Sequence, residues 1–128
     1  MKVIVADDSM LTRKIVEKYL EPLGYSTLQA SNGGEVIEAL NAGKEIPDLI
    51  LMDWNMPVLD GFQVLQLLRK DKRYDAIPVI MLTSESDDTN RVKALEAGAA
   101  GYITKPFTSE ELIDTIKETL NREKEPQS

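Results

Sequence analysis

The segment Leu49–Asp53 places four apolar residues directly in front of a single carboxylate. It is too short for a typical globular helix, and it lies between Pro47 and Pro57. A continuous apolar run of this length predicts a strand that is buried on both faces, as strands of parallel sheets covered by helices are. Asp53 would then stand at the carboxyl end of a central strand, which is the edge where open parallel sheets bind ligands.

Four further strand-like segments alternate with helical patterns along the chain. Lys2–Ala6 and Pro78–Leu82 are apolar, whereas Tyr25–Ala30 and Gly101–Thr104 mix apolar and polar residues. Each strand is followed by apolar residues at helical spacing, and residues that favour helix N-termini precede them: Ser9, Asn32, Asp60, Asp87 or Asp88, and Thr108. Five strand–helix repeats predict an α/β fold with a doubly wound parallel sheet and helices on both faces.

The polarity of the strands also predicts their order. Central strands of such a sheet are apolar and its edges can be polar, so the mixed second and fifth strands are expected at the edges. This arrangement fits the flavodoxin-like order 2-1-3-4-5. We expect one (βα)5 domain over residues 1–122 and a polar C-terminal tail over residues 123–128.

The composition excludes several functional classes. The chain has no histidine and no cysteine, which excludes Ser-His catalysis, imidazole or thiolate metal ligands, and disulfides. The net charge of −7 argues against duplex nucleic acid as a partner. No apolar stretch approaches the roughly 20 residues of a membrane span, so no membrane partner is expected. Because Met1 leads directly into a strand without a signal-peptide pattern, the expected location is cytoplasmic.

Polar side chains follow the ends of four strands that the predicted order makes neighbours. Strands of a sheet lie about 4.8 Å apart, so the first and third should bring three carboxylates within several ångströms of one another. Such a cluster repels itself, and a divalent cation relieves the repulsion; oxygen ligands suit Mg²⁺ or Mn²⁺. The polar residues at the four strand ends are Asp7 and Asp8, Asp53, Thr83, and Thr104 with Lys105.

These residue types together suit phosphoryl transfer. A bound cation would cancel charge on an incoming phosphoryl group, so that Asp53 could attack phosphorus. The Lys105 ammonium and the Thr83 hydroxyl could then bind the phosphoryl oxygens. Taken singly, Asp7 and Asp8 could cap a helix, and Lys105 could be an ordinary loop residue. Their coincidence at successive strand ends favours a phosphoacceptor site.

The same residues form motifs that are found together in one family: Asp7-Asp8, Asp53 to Pro57, Asp60-Gly61, Thr83, and Lys105-Pro106. With them the chain resembles the receiver domains of two-component response regulators, most closely the single-domain chemotaxis regulators of the CheY type. The resemblance extends from Lys2 to about Asn121.

The resemblance implies specific roles around the acceptor. Asp53 would take a phosphoryl group from a phosphohistidine on a partner histidine kinase and lose it slowly by self-catalysed hydrolysis, so the protein would not be an enzyme in the usual sense. Asp8, Asp53 and the backbone carbonyl of Asn55 would hold Mg²⁺, with Asp7 acting mainly through water. Thr83 and Lys105 would bind the phosphoryl oxygens.

The resemblance also implies how the signal leaves the domain. The Lys105-Pro106 peptide is expected to be cis, and Tyr102 is expected to turn inward when Thr83 moves toward the phosphoryl group. Output would be phosphorylation-dependent protein binding by a monomer, through the face formed by the fourth helix, fifth strand and fifth helix. A stand-alone chemotaxis-type regulator is favoured, and a phosphorelay intermediate or a receiver cut from a longer regulator is the alternative.

Two functions of other classes fit less well. A phosphatase of the haloacid dehalogenase type needs a second aspartate two residues after the nucleophile, where this chain has Asn55. A flavin-binding module could share the strand order, but Asp7 and Asp8 would repel the flavin phosphate.

Overall fold

The computed structural model describes residues 1–43, 46–84 and 88–124, in which five strands alternate with five α-helices. The strands are β1 (Lys2–Ala6), β2 (Ser26–Ala30), β3 (Leu49–Asp53), β4 (Val79–Thr83) and β5 (Gly101–Thr104). The helices are α1 (Met10–Leu20), α2 (Gly33–Ala42), α3 (Gly61–Lys70), α4 (Asp88–Glu96) and α5 (Ser109–Lys124). A short 3-10 helix, Glu21–Leu23, follows α1.

The sheet confirms the predicted order, β2-β1-β3-β4-β5, with every neighbouring pair parallel. β3 lies at the centre, and all five of its residues are buried. In the register, Ile50 of β3 pairs with Ile4 of β1 and with Val79 of β4. β2 is the more exposed edge, as its mixed sequence predicts.

Two apolar cores cover the two faces of the sheet, and β3 contributes alternate residues to each. Ile50 and Met52 pack with residues of α2, α3 and α4, whereas Leu49 and Leu51 pack with residues of α1 and α5. Successive side chains of a strand point to opposite faces. The alternation therefore puts Asp53 on the side of α1 and α5, and Trp54, which packs against the first core, on the other side.

Side-chain caps begin four of the helices as the sequence predicts, and at α5 the Thr108 hydroxyl accepts from the Glu111 N–H at 3.1 Å. The Ser9 hydroxyl accepts a hydrogen bond within the first turn of α1, and the Asn32 side chain does the same for α2. Asp60 and Gln63 form the predicted capping box at α3, with reciprocal hydrogen bonds of 2.8 and 3.0 Å.

The inner face of α1 is not the one that its most regular apolar spacing suggests. Leu11 is 71% exposed and Ile15 is 37% exposed, whereas Val16 and Leu20 are fully buried. Val16 and Leu20 are themselves four residues apart and face the sheet. Leu11 and Ile15 lie on a different face of the helix, about 100° around the helix axis from the face that contains Val16 and Leu20.

The α4 helix presents its large apolar residues to solvent. It begins at Asp88; the alternative start at Asp87 lies outside the described residues. Val92 and Leu95 are 51% and 46% exposed, although their helical spacing predicts an inward stripe. Among the described α4 side chains, only Ala94 is buried.

The last helix extends further than the predicted domain boundary. α5 continues through Lys124, past residue 122, and residues 125–128 of the predicted tail lie outside the described residues. Across the described ranges, none of the helices has both the length and the apolar character that crossing a membrane requires.

The loop between β3 and α3 contains a strained residue. Val58 has a φ angle of 73°, in the left-handed region that β-branched residues rarely adopt. The Leu59 N–H donates to the Pro57 carbonyl at 2.9 Å, so residues 57–59 form a γ-turn. The Val58 side chain is 80% exposed, and its packing therefore offsets little of the strain.

We expect Val58→Gly to raise the free energy of unfolding by about 1 kcal/mol. Strain of about 1–3 kcal/mol is relieved, and glycine costs roughly 0.5–1 kcal/mol of additional chain entropy. Urea denaturation of the wild type and the variant measures the difference. Val58→Ala is the matched control because it keeps a Cβ atom and hence most of the strain. An alanine variant as stable as the glycine variant would contradict this account of the turn.

Candidate functional site

Four neighbouring strands bring the predicted functional residues to one edge of the sheet. Asp7 directly follows β1, Asp53 ends β3, Thr83 ends β4, and Lys105 directly follows β5. The register pairs Thr83 with Thr104, so the ends of the last two strands are level. The grouping that was predicted from strand order is therefore present in the structure.

Three carboxylates form a compact cluster at this edge. Asp7, Asp8 and Asp53 each place one carboxylate oxygen within 4.8 Å of the others. Asp7 is fully buried and Asp53 is 5% exposed, whereas Asp8 is open to solvent. The donors are all oxygens, and the exposed side of the cluster leaves room for water, which Mg²⁺ usually retains. The cluster therefore fits the divalent cation that the sequence predicts.

Lys105 supplies the positive charge of the site. Its Nζ donates to Asp7 Oδ2 at 2.5 Å and lies 3.5 Å from Asp53 Oδ1. The Lys105 backbone N–H donates to the Thr83 carbonyl at 2.7 Å, and the Lys105-Pro106 peptide is cis, as expected. One ammonium thus faces two buried carboxylates, with a third nearby.

The acceptor candidate has a perturbed acidity. Burial raises the pKa of Asp53, and the neighbouring Asp7 carboxylate raises it further. The Lys105 ammonium and the Asn55 backbone N–H, which lies 3.4 Å from Asp53 Oδ1, act in the opposite direction. Ionised Asp53 is therefore a destabilising group in the metal-free fold.

Because the pKa of Asp53 is raised in the folded state, we predict that Asp53→Asn makes the metal-free protein more stable at neutral pH. A carboxyl whose pKa in the folded state lies above its ordinary value of 3.8 lowers stability once it is ionised, and the penalty disappears below 3.8. The advantage of the asparagine variant should therefore shrink as the pH falls from 7 toward that value. Urea denaturation of both proteins in a chelator at several pH values measures it. An advantage that stays constant or grows on acidification would contradict the raised pKa.

Asp7 is held in place by a residue that the sequence analysis missed. Arg13 of α1 donates from its guanidinium to the Asp7 carbonyl at 2.6 Å and to the Gln29 side chain at 3.1 Å. The Ser9 N–H donates to Asp7 Oδ1 at 2.9 Å. An arginine in the first turns of a helix carries no distinctive sequence pattern, so only the structure shows that it orients the site.

The remaining predicted residues occupy distinct surroundings. Thr83 is 1% exposed at the end of β4, and Tyr102 is half-buried in β5, level with Met81. Asn55 is exposed in the loop after β3. The switch roles of Thr83 and Tyr102, and the metal-ligand role of the Asn55 carbonyl, stay predictions.

Comparison with known proteins relates this site to a family. Residues 3–117 match the family described as response regulator receiver domain. The chain is 40% identical over 121 residues to the chemotaxis protein CheY1 of Helicobacter pylori strain ATCC 700392 / 26695, which covers 94% of this chain and 97% of that protein. It is also 40% identical to the sensor histidine kinase CheAY of the same strain, but it spans only 15% of that protein's length.

Solved structures show the same relationship. The chemotaxis response regulator CheY4 of Vibrio cholerae is 32% identical, with a TM-score of 0.85 over 92% of this chain and 97% of that one. The family match extends from β1 into α5, and it includes every strand end that contributes to the site. The chain therefore belongs to the response regulator receiver domain family.

Proposed function

We propose that this receiver accepts a phosphoryl group on Asp53 from a phosphohistidine of a histidine kinase. Signalling by phosphorylation is the general function of receiver domains, to which the chain belongs. The observation that carries the proposal is the position of Asp53, which ends the central strand with its carboxylate 3.5 Å from the Lys105 ammonium and beside the carboxylates of Asp7 and Asp8.

The transfer itself is a substitution at phosphorus. An Asp53 carboxylate oxygen attacks the phosphorus atom, the bond from phosphorus to the imidazole nitrogen breaks, and the imidazole leaves with the electron pair. The attacking oxygen must be ionised, and Lys105 favours that form. Lys105 and the Thr83 hydroxyl would then bind oxygens of the transferred group.

The donor set fits Mg²⁺, with Mn²⁺ as an alternative. We propose that Asp8, Asp53 and the Asn55 backbone carbonyl hold the cation, and that Asp7 acts mainly through water. When bound, the cation would cancel negative charge on the phosphoryl group. Asp7 is buried and paired with Lys105, so its carboxylate already has a cationic partner. This supports a role for Asp7 through water rather than as a direct ligand.

Output is proposed to use the surface of α4, β5 and α5 on a monomer. Val92 and Leu95 support this choice, because they expose apolar surface on α4. Moving a two-state domain from 1:99 to 99:1 requires about 5.5 kcal/mol of differential stabilisation. A few charge-assisted hydrogen bonds from Thr83 and Lys105, at about 1.5–3 kcal/mol each, are of that size. Tyr102 would follow Thr83 inward, and slow self-catalysed hydrolysis would end the signal.

Labelling with a small phosphodonor tests the proposal. After incubation with acetyl phosphate and Mg²⁺, intact mass should show one added phosphoryl group on the wild type and none on Asp53→Asn. Asp60→Asn is the matched control, because it makes the same change at a helix cap of the same loop. A chelator should reduce labelling strongly. An Asp53→Asn protein labelled as fully as the wild type would contradict the assignment.

A further inference from the structure

An aromatic pair lies beside the acceptor on the side away from Lys105. The ring of Trp54, the residue after Asp53, stacks on the ring of Phe62 in the first turn of α3, with centroids 5.0 Å apart and planes 9° from parallel. Both side chains are half-buried. The stack fixes the orientation of the Trp54 side chain, since stacked rings of this geometry attract each other beyond simple burial.

The backbone of Trp54 is tied to β4 as well as to α3. Its carbonyl accepts from the Gly61 N–H at 2.8 Å, and its N–H donates to the Leu82 carbonyl at 3.0 Å. The next N–H, that of Asn55, lies 3.4 Å from Asp53 Oδ1. A rotation of the Trp54 peptide would therefore move a hydrogen-bond donor relative to the acceptor carboxylate.

Phe62 also reaches the helix at the proposed output surface. The Lys93 ammonium of α4 lies 6.0 Å from the centroid of the Phe62 ring, at the outer limit of a cation–π contact. Ala94 is the only buried side chain among those described in α4, so few apolar contacts hold this helix to the sheet. A weak contact can shift the position of a helix that has so few buried apolar side chains among those described.

We propose that Phe62 is a positioning residue that links the phosphoacceptor loop to α4 through Trp54 and Lys93. The inference rests on the proposed function of Asp53 and adds a connection that does not involve Thr83 or Tyr102. Through this connection, loss of the contact between Lys93 and Phe62 changes how readily Asp53 is phosphorylated.

A double-mutant cycle with Lys93→Gln and Phe62→Leu tests the connection. We expect Lys93→Gln to slow labelling by acetyl phosphate about two- to fivefold, the size of an exposed cation–π contact. It should also shift the emission of metal-free Trp54, the only tryptophan in the chain. In a Phe62→Leu background neither effect should appear, and Phe62→Tyr, which keeps a ring to stack, should restore both. Lys70→Gln, at the exposed far end of α3, controls for lost charge.

The outcomes separate this inference from the function on which it rests. A Lys93→Gln effect of equal size in the wild-type and Phe62→Leu backgrounds would overturn the connection, since a Phe62 that only fills space leaves the two changes additive. The same holds if Lys70→Gln reproduces the Lys93→Gln effects. Absence of labelling in every protein, including the wild type, would instead overturn the phosphoacceptor function.

Discussion

Replacing Lys105 by methionine is expected to lower the free energy of unfolding by about 3 kcal/mol when no divalent cation is present. The change removes the ammonium that pairs with Asp7 at 2.5 Å and leaves that fully buried carboxylate without a cationic partner. It also removes a positive charge 3.5 Å from Asp53. Removal of one partner of a buried pair is costly because the remaining charge stays desolvated. Urea denaturation in a chelator measures the loss.

Arg73→Met is the matched control for this experiment. Arg73 pairs with Asp71 at 2.7 Å, but its side chain is 65% exposed. Water replaces such a partner easily, so the loss should be much smaller than that caused by Lys105→Met. Similar losses from Lys105→Met and Arg73→Met would show that Asp7 does not depend on its ion pair.

Gly61→Ala is expected to destabilise the fold by about 3 kcal/mol or more. A Cβ atom at this position would lie 2.1 Å from the Asp53 carbonyl oxygen and 2.9 Å from the end of the Met81 side chain. The first contact is with backbone, which cannot turn aside as a side chain can. α3 would have to move away from the end of β3 and strain the hydrogen bond from the Gly61 N–H to Trp54. Chemical denaturation measures the effect.

Gly34→Ala provides the comparison, since Gly34 also lies in the first turn of a helix. A Cβ atom there would meet Asn32 Oδ1 at 3.2 Å and the Val58 side chain at 3.5 Å, and both can adjust. Alanine favours a helix by about 1 kcal/mol over glycine, so this variant should be as stable as the wild type or more so. A Gly61→Ala protein that tolerates the change equally well would contradict the close approach of α3 to the acceptor strand.

The sequence predicted the sheet and the grouping of the site because both follow from strand patterns. The apolar run of Leu49–Asp53 indicates a strand buried on both faces, and mixed strands belong at edges. Once the order is known, the carboxyl ends of parallel strands meet at one edge, which brings Asp7, Thr83 and Lys105 toward Asp53.

Other features depend on geometry that spacing does not encode. Leu11 and Val16 both fit helical periodicity, and only the packing of α1 on the sheet decides that Val16 is buried. The left-handed turn at Val58 could not be predicted from the sequence, because the residue is neither glycine nor asparagine. The contact of Lys93 with Phe62 joins two helices, and its geometry depends on how both pack beside β3.

The most direct test of the phosphoacceptor assignment is to locate the phosphoryl group within the chain. Borohydride reduces an aspartyl phosphate to homoserine, and peptide mass spectrometry then identifies the modified position. After labelling with acetyl phosphate and Mg²⁺, we expect homoserine at position 53 and unmodified aspartate at positions 7, 8 and 60. Homoserine at another aspartate, with residue 53 unchanged, would contradict the assignment of Asp53 as the acceptor.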